Sequence, residues 1–196
     1  MEKNSFGLLR SKEIISILEG DKDFGEGTFV DKYGNEKRIK IAMPYLSGPA
    51  ICEISSLFGL PVTYSWSGGA LSRWQYFDGV MEFCIKQNRM SDFLSYLFSK
   101  DKFFDILKDL SVNDIQHAYE TMIQKVLEQI NSILYFGGHE LRAIGKAYQI
   151  CNVDDMVSVS APVVKIIDRT YIKDLASRAN KDIDEGNFDS AITKAR

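Results

Sequence analysis

The residues best suited to chemistry lie in one stretch, Ser65-Trp66-Ser67-Gly68-Gly69-Ala70-Leu71-Ser72-Arg73-Trp74. A glycine-rich loop there runs directly into a helical pattern. Free backbone N–H groups at a helix start can hold an anion, and a guanidinium nearby adds a charge-assisted contact. Trp66, Ser67, Gly68, Gly69, Ser72 and Arg73 therefore form a candidate ligand or anion site. Trp66 or Tyr64 can stack on a base or cover an apolar ligand. A purely structural reading uses the same residues. Ser67 or Ser72 caps the helix, the glycines permit the turn, and Trp74 joins the core.

A second candidate surface is basic. Lys37, Arg38 and Lys40 fall in a segment with strand periodicity, and their charges suit contact with phosphates. Such charges also commonly solubilise a hairpin or blunt an edge strand. Elsewhere the side chains with catalytic potential are scattered. His117 sits between the core positions Ile115 and Ala118 of a long helical pattern. His139 and Glu140 are adjacent, so in extended chain they point to opposite faces. Metal-ligand spacing, a nucleophile elbow, a Walker loop and a dinucleotide fingerprint are all missing. No cofactor is expected. Cys52 and Cys84 fall among helical apolar residues and read as buried thiols, with Cys151 remote from both.

The net charge of −3 supplies no general field for nucleic acid. No apolar run approaches the roughly 18 residues needed to span a bilayer. The N-terminus lacks the basic start and apolar core of a signal peptide. Together with unpaired thiols, these features predict a cytoplasmic protein with no membrane partner.

The elements that must position these residues are mainly helices. Ser11 caps a first helix carrying Ile14, Ile15 and Leu18, which Gly20 stops. A hairpin is predicted over 28–43 with Gly34-Asn35 as a two-residue turn, which sets Val30 opposite Ile39. Pro49 opens a helix with Ile51, Ile54, Leu57 and Phe58 on one face. A helix over about 71–87 aligns Trp74, Phe77, Met81, Cys84 and Ile85. Ser91 and Asp101 are expected to cap two shorter helices, the second patterned by Phe103, Phe104, Leu107 and Leu110. The strongest helix starts at the Ser111–Asp114 capping motif and ends at Gly137-Gly138. Extended chain follows over 139–161, with a turn at Gly145-Lys146, and then a helix from Asp168 to Gly186. The fold class is α+β, predominantly helical, with one or two β-hairpins packed against helices.

Residues 187–196 begin a further helical pattern with no end. A helix so short is unstable alone, which predicts that the chain is the N-terminal part of a longer protein. The unfinished helix also offers an apolar edge for homodimerisation.

Several phrases resemble a known family. Met43-Pro44-Tyr45-Leu46-Ser47-Gly48, the Tyr64–Trp74 stretch and Asp168-Arg169-x-Tyr171-Ile172 resemble the N-terminal domain of AbiJ-type abortive-infection proteins. The ending, from Asp182 through Gly186-Asn187-Phe188-Asp189 to Arg196, is similar to the entry into the abortive-infection C-terminal domain, which is helical and HEPN-like. The resemblance implies an N-terminal sensing or regulatory domain over 1–166, and a linker with the start of the C-terminal domain over 167–196. It further implies a bacterial anti-phage protein whose effector, a candidate ribonuclease, lies beyond Arg196. The partners implied are that C-terminal domain and a phage-derived or nucleic-acid trigger. HEPN ribonucleases place an arginine shortly before a histidine. Neither His117 nor His139 has one at that spacing, so no catalytic residue carries over. The other reading from the residues is a stand-alone nucleotide- or nucleic-acid-binding domain using the Gly68-Gly69 loop and Arg73.

Overall fold

The computed structural model describes residues 6–65, 71–145 and 147–153. All of them fall within one compact unit, Met1–Asp155. The expected strand and helices beyond 153, the boundary near 166 and the unfinished helix at 187–196 lie outside the described residues. What is described is α+β and predominantly helical, with two antiparallel hairpins.

Helix α1 spans Lys12–Leu18, and Ser11 Oγ caps it by accepting from the Ile14 N–H at 3.3 Å. Gly20 stops it with φ of 78°. Strands β1 (Glu26–Val30) and β2 (Glu36–Lys40) form the first hairpin. Its turn differs from the expected one. The Asp31 carboxylate accepts from the Tyr33 and Asn35 N–H groups at 2.8 and 2.9 Å. That side chain organises the whole loop 31–35, so Gly34-Asn35 is not an isolated two-residue turn. Val30 consequently pairs with Glu36, and Ile39 pairs with Gly27. Phe29 and Ile39 still share the buried face. The end of β1 is tied to the start of the long helix, where the Ser111 N–H donates to Val30 O at 2.9 Å.

Helix α2 (Gly48–Leu57) starts at Ser47, with Pro49 in its first turn. It buries Ile51, Cys52, Ile54 and Ser55, whereas Leu57 faces outward. Helix α3 (Arg73–Lys86) buries Tyr76, Phe77, Val80, Met81 and Cys84. Trp74 was expected in this core but is 38% exposed. At 100° per residue it sits about 90° from the centre of the buried arc, on its flank. Helix α4 (Met90–Leu97) begins just before Ser91, with Arg89 at the cap position. A 3₁₀ turn (Lys100–Phe103) leads into the short α5 (Phe104–Leu107), so Asp101 lies inside the turn rather than capping a helix. Phe103, Leu107 and Leu110 are buried, but Phe104 is exposed.

Helix α6 (Val112–Leu134) runs 23 residues. Ser111 Oγ accepts from the Asp114 N–H at 3.2 Å. The row Ala118, Met122, Val126, Ile130 and Leu134 repeats close to the helical period and is fully buried. Phe77, Phe93, Phe98 and Phe103 fill the same continuous core.

The second hairpin, β3 (His139–Ile144) and β4 (Ala147–Asn152), pairs Ile144 with Ala147 beside Gly145, where a turn was expected; Lys146 lies outside the described residues. Two strands alone are marginal in water. Helical side chains stabilise this pair by occupying its edges. Asn131 of α6 donates to Leu141 O at 3.0 Å and accepts from the Leu141 N–H at 2.7 Å. Ser95 Oγ of α4 accepts from the Tyr148 N–H at 3.1 Å. Removing the amide strands two peptide groups at once. Asn131→Ala is therefore expected to destabilise the chain by about 2 kcal/mol. Urea unfolding checks the magnitude, and amide exchange at Leu141 should accelerate.

Candidate functional site around Arg73

Arg73 is the first residue of α3. The Ser72–Gln75 pair fixes that start, with Gln75 Oε1 accepting from the Ser72 N–H at 2.7 Å and from its hydroxyl at 2.9 Å. The guanidinium turns back onto the chain rather than outward. Nη1 donates to Leu46 O at 2.9 Å, Nη2 donates to the Asp21 carboxylate, and Glu19 Oε2 lies 3.6 Å from Nη2. The guanidinium also covers the Tyr45 ring at 4.5 Å. One side chain thus joins the end of α1, the segment before α2 and the start of α3.

Glu19 is the unusual member. It is 1% exposed, and its Oε1 has no hydrogen-bond partner among the described residues. Burial pushes its carboxyl up to about 7. The Arg73 charge opposes that rise and the nearby Asp21 adds to it. Burial acts to lower the Arg73 guanidinium, but Asp21 and Glu19 more than reverse it. Glu19 is held here by the chain around Gly20. Its own carbonyl accepts from the Leu46 N–H at 2.9 Å, which seats the segment 43–46 against the helix end.

Of the residues expected to bind an anion, Ser72 and Arg73 are described, and Trp66, Ser67, Gly68 and Gly69 lie outside the described residues. Ser72 caps α3. Arg73 is already paired with the Asp21 carboxylate, with Glu19 3.6 Å away. Approaching the loop, Tyr64 packs on Tyr76 with ring centroids 5.5 Å apart. The Ser65 N–H meets the Tyr76 hydroxyl at 3.4 Å.

The basic ribbon does not present its three cations together. Strand alternation places Lys37 on the Phe29–Ile39 side, where its Nζ reaches Asp109 at 3.3 Å. Arg38 and Lys40 point the other way. Lys40 pairs with Asp23 at 3.3 Å, and Glu36 and Glu26 share that outward face. The outward face is therefore mixed in charge rather than basic.

No protein-family model matches the chain, and no curated protein or solved structure matches it. His117 is exposed, with its ring against the Phe29 edge at 5.8 Å, while His139 is buried at the start of β3. Among the described residues no group of His, Cys, Asp and Glu is placed to hold a metal ion, and no helix is long and apolar enough to cross a membrane. Cys52 and Cys84 are buried, as expected. Burial raises the Cys52 thiol and pushes that of Cys84 up to about 11, so neither is a nucleophile at neutral pH.

Sequence reasoning missed Glu19, Asp21 and Tyr45. One signal was available. A carboxylate beside the glycine that ends a helix opposes the helix dipole and calls for a compensating cation. Nothing local identified that cation as Arg73, 54 positions away by residue number.

Proposed function

We propose that this chain is a non-catalytic sensing or regulatory module of an abortive-infection type of protein. The observation that carries the reading is the use made of Arg73. The strongest candidate for substrate contact instead ties three segments together through Glu19, Asp21 and Leu46 O. A buried carboxylate lacking one partner, next to such a tie, gives the node two electrostatic states, as a sensing element requires. The family phrases in the sequence support the abortive-infection context.

Two measurements test the proposal. Purified chain incubated with RNA, with and without magnesium, is expected to leave it intact. Cleavage abolished by a substitution within this chain would end the non-catalytic reading. The native reading frame after Arg196 tests the context. A downstream helical domain with a closely spaced arginine and histidine is expected, and an immediate stop codon would remove the effector from the proposal.

A further inference from the structure

A groove of about 1050 Å³ that shares no residue with the Arg73 contacts runs along α6, between that helix, the end of α4 and the second hairpin. Its floor is apolar and aromatic. Tyr119, Ile123 and Leu127 form one row of α6, facing Phe98 and Tyr148. The floor is tied together: the Tyr119 hydroxyl donates to Phe98 O at 2.5 Å, and the rings of Phe98 and Tyr148 lie 4.6 Å apart. From Gln116 to Asn131 the groove follows α6 for about 22 Å. That length suits a linear segment better than a compact small molecule.

The rim is a second row of α6, Gln116, Glu120, Gln124 and Glu128. Its two amides orient the carboxylates, Gln116 donating to Glu120 and Gln124 donating to Glu128. Both carboxylates are exposed. Among the described residues the lining contains one cation, Lys100 at one end, which donates to Gln116 Oε1 at 2.7 Å. Lys125 beside the groove touches Glu128 at 3.3 Å. The described lining thus carries two carboxylates and one cation, and no described cation lies within salt-bridge distance of Glu120.

We propose that this groove binds an amphipathic helix from a partner protein, with apolar side chains at helical spacing and a lysine- or arginine-bearing flank. An apolar ridge seats on the Tyr119–Ile123–Leu127 row, as helices pack into grooves. The basic flank lies along Glu120 and Glu128. This surface stands apart from the Arg73 node, so the proposal does not depend on the regulatory reading.

The test uses the full chain and a labelled leucine–lysine amphipathic peptide of about fifteen residues, which matches the groove at about 1.5 Å per residue. Fluorescence anisotropy is expected to show saturable binding. Glu120→Lys with Glu128→Lys should weaken it about five- to tenfold, as loss of two exposed ion pairs predicts. Glu36→Lys with Glu53→Lys, which makes the same change in net charge elsewhere, should leave it unchanged. Ala143→Trp should weaken binding by filling the groove without altering charge, and thermal melts of each variant confirm folding. No saturable binding, equal loss in both charge-reversal pairs, or equal binding of a glutamate-flanked peptide would overturn the proposal. So would a dimer in sedimentation that Ala143→Trp dissociates, because the occupant would then be a second copy of this chain.

Discussion

Arg73→Met should destabilise the chain strongly at alkaline pH and much less in acid. At about pH 8.5 the buried Glu19 carboxylate is ionised and loses its nearest countercharge, a change that costs about 3 kcal/mol. In acid Glu19 is protonated in folded and unfolded chain alike. Only the Leu46 hydrogen bond, the Tyr45 contact and the Asp21 pair are then lost. Wild type supplies the reference. Its Glu19 titrates at about 7 in the fold, above the ordinary 4.5. Between those values the folded state holds a proton that the unfolded state has released. The Glu19 contribution to stability therefore falls as pH rises from 4.5 to about 7, then levels off. Glu19→Gln should remove that dependence and stabilise the chain at neutral pH, approaching wild type in acid. Urea midpoints of wild type and both variants across this range check the sign. A pH-independent Arg73→Met effect would show that Glu19 is not the group the guanidinium compensates.

Gly20→Ala should be among the most damaging single-methyl additions in the described chain. Gly20 has φ of 78°, where an L side chain costs about 1–2 kcal/mol. Its added Cβ would also lie 2.6 Å from Pro44 O and 2.7 Å from Met43 O. Those are backbone atoms, so the segment 43–46 must move, and overpacking of this kind costs about another 1–3 kcal/mol. The movement would pull Tyr45 and Leu46 away from Arg73. Gly34 is the control. Its φ is 87°, but nothing lies within 4 Å of an added Cβ. Gly34→Ala should cost only the conformational term, about 1 kcal/mol. Thermal unfolding of the two variants separates backbone strain from collision. Equal losses would mean that the turn at Gly20, not its contact with Pro44, matters.

The features legible in the sequence are those that neighbouring residues settle among themselves. Ser11 and Ser111 each cap a helix through an N–H three positions on, and such short spacings identify the helix start. The buried row of α6 follows from periodicity alone. The second hairpin follows from a glycine turn at the right distance. The first hairpin was legible as a hairpin but not in its register, because the Asp31 side chain replaced a backbone turn with a longer loop.

The candidate site was half legible for the same reason. Arg73 stood out as a cation at a helix start, and from sequence its natural partner was an anion brought from outside. Only the packing of α1 against α3 places Glu19 and Asp21 within its reach and Tyr45 beneath it. The groove along α6 is likewise a tertiary product, since its floor joins residues of α4, α6 and β4. The sequence by itself determined the helix starts at Ser11 and Ser111 and the apolar row of α6. The tertiary structure decided which charges meet and which are buried. Pairing energy and desolvation depend on distances across the fold, and local spacing carries no record of them.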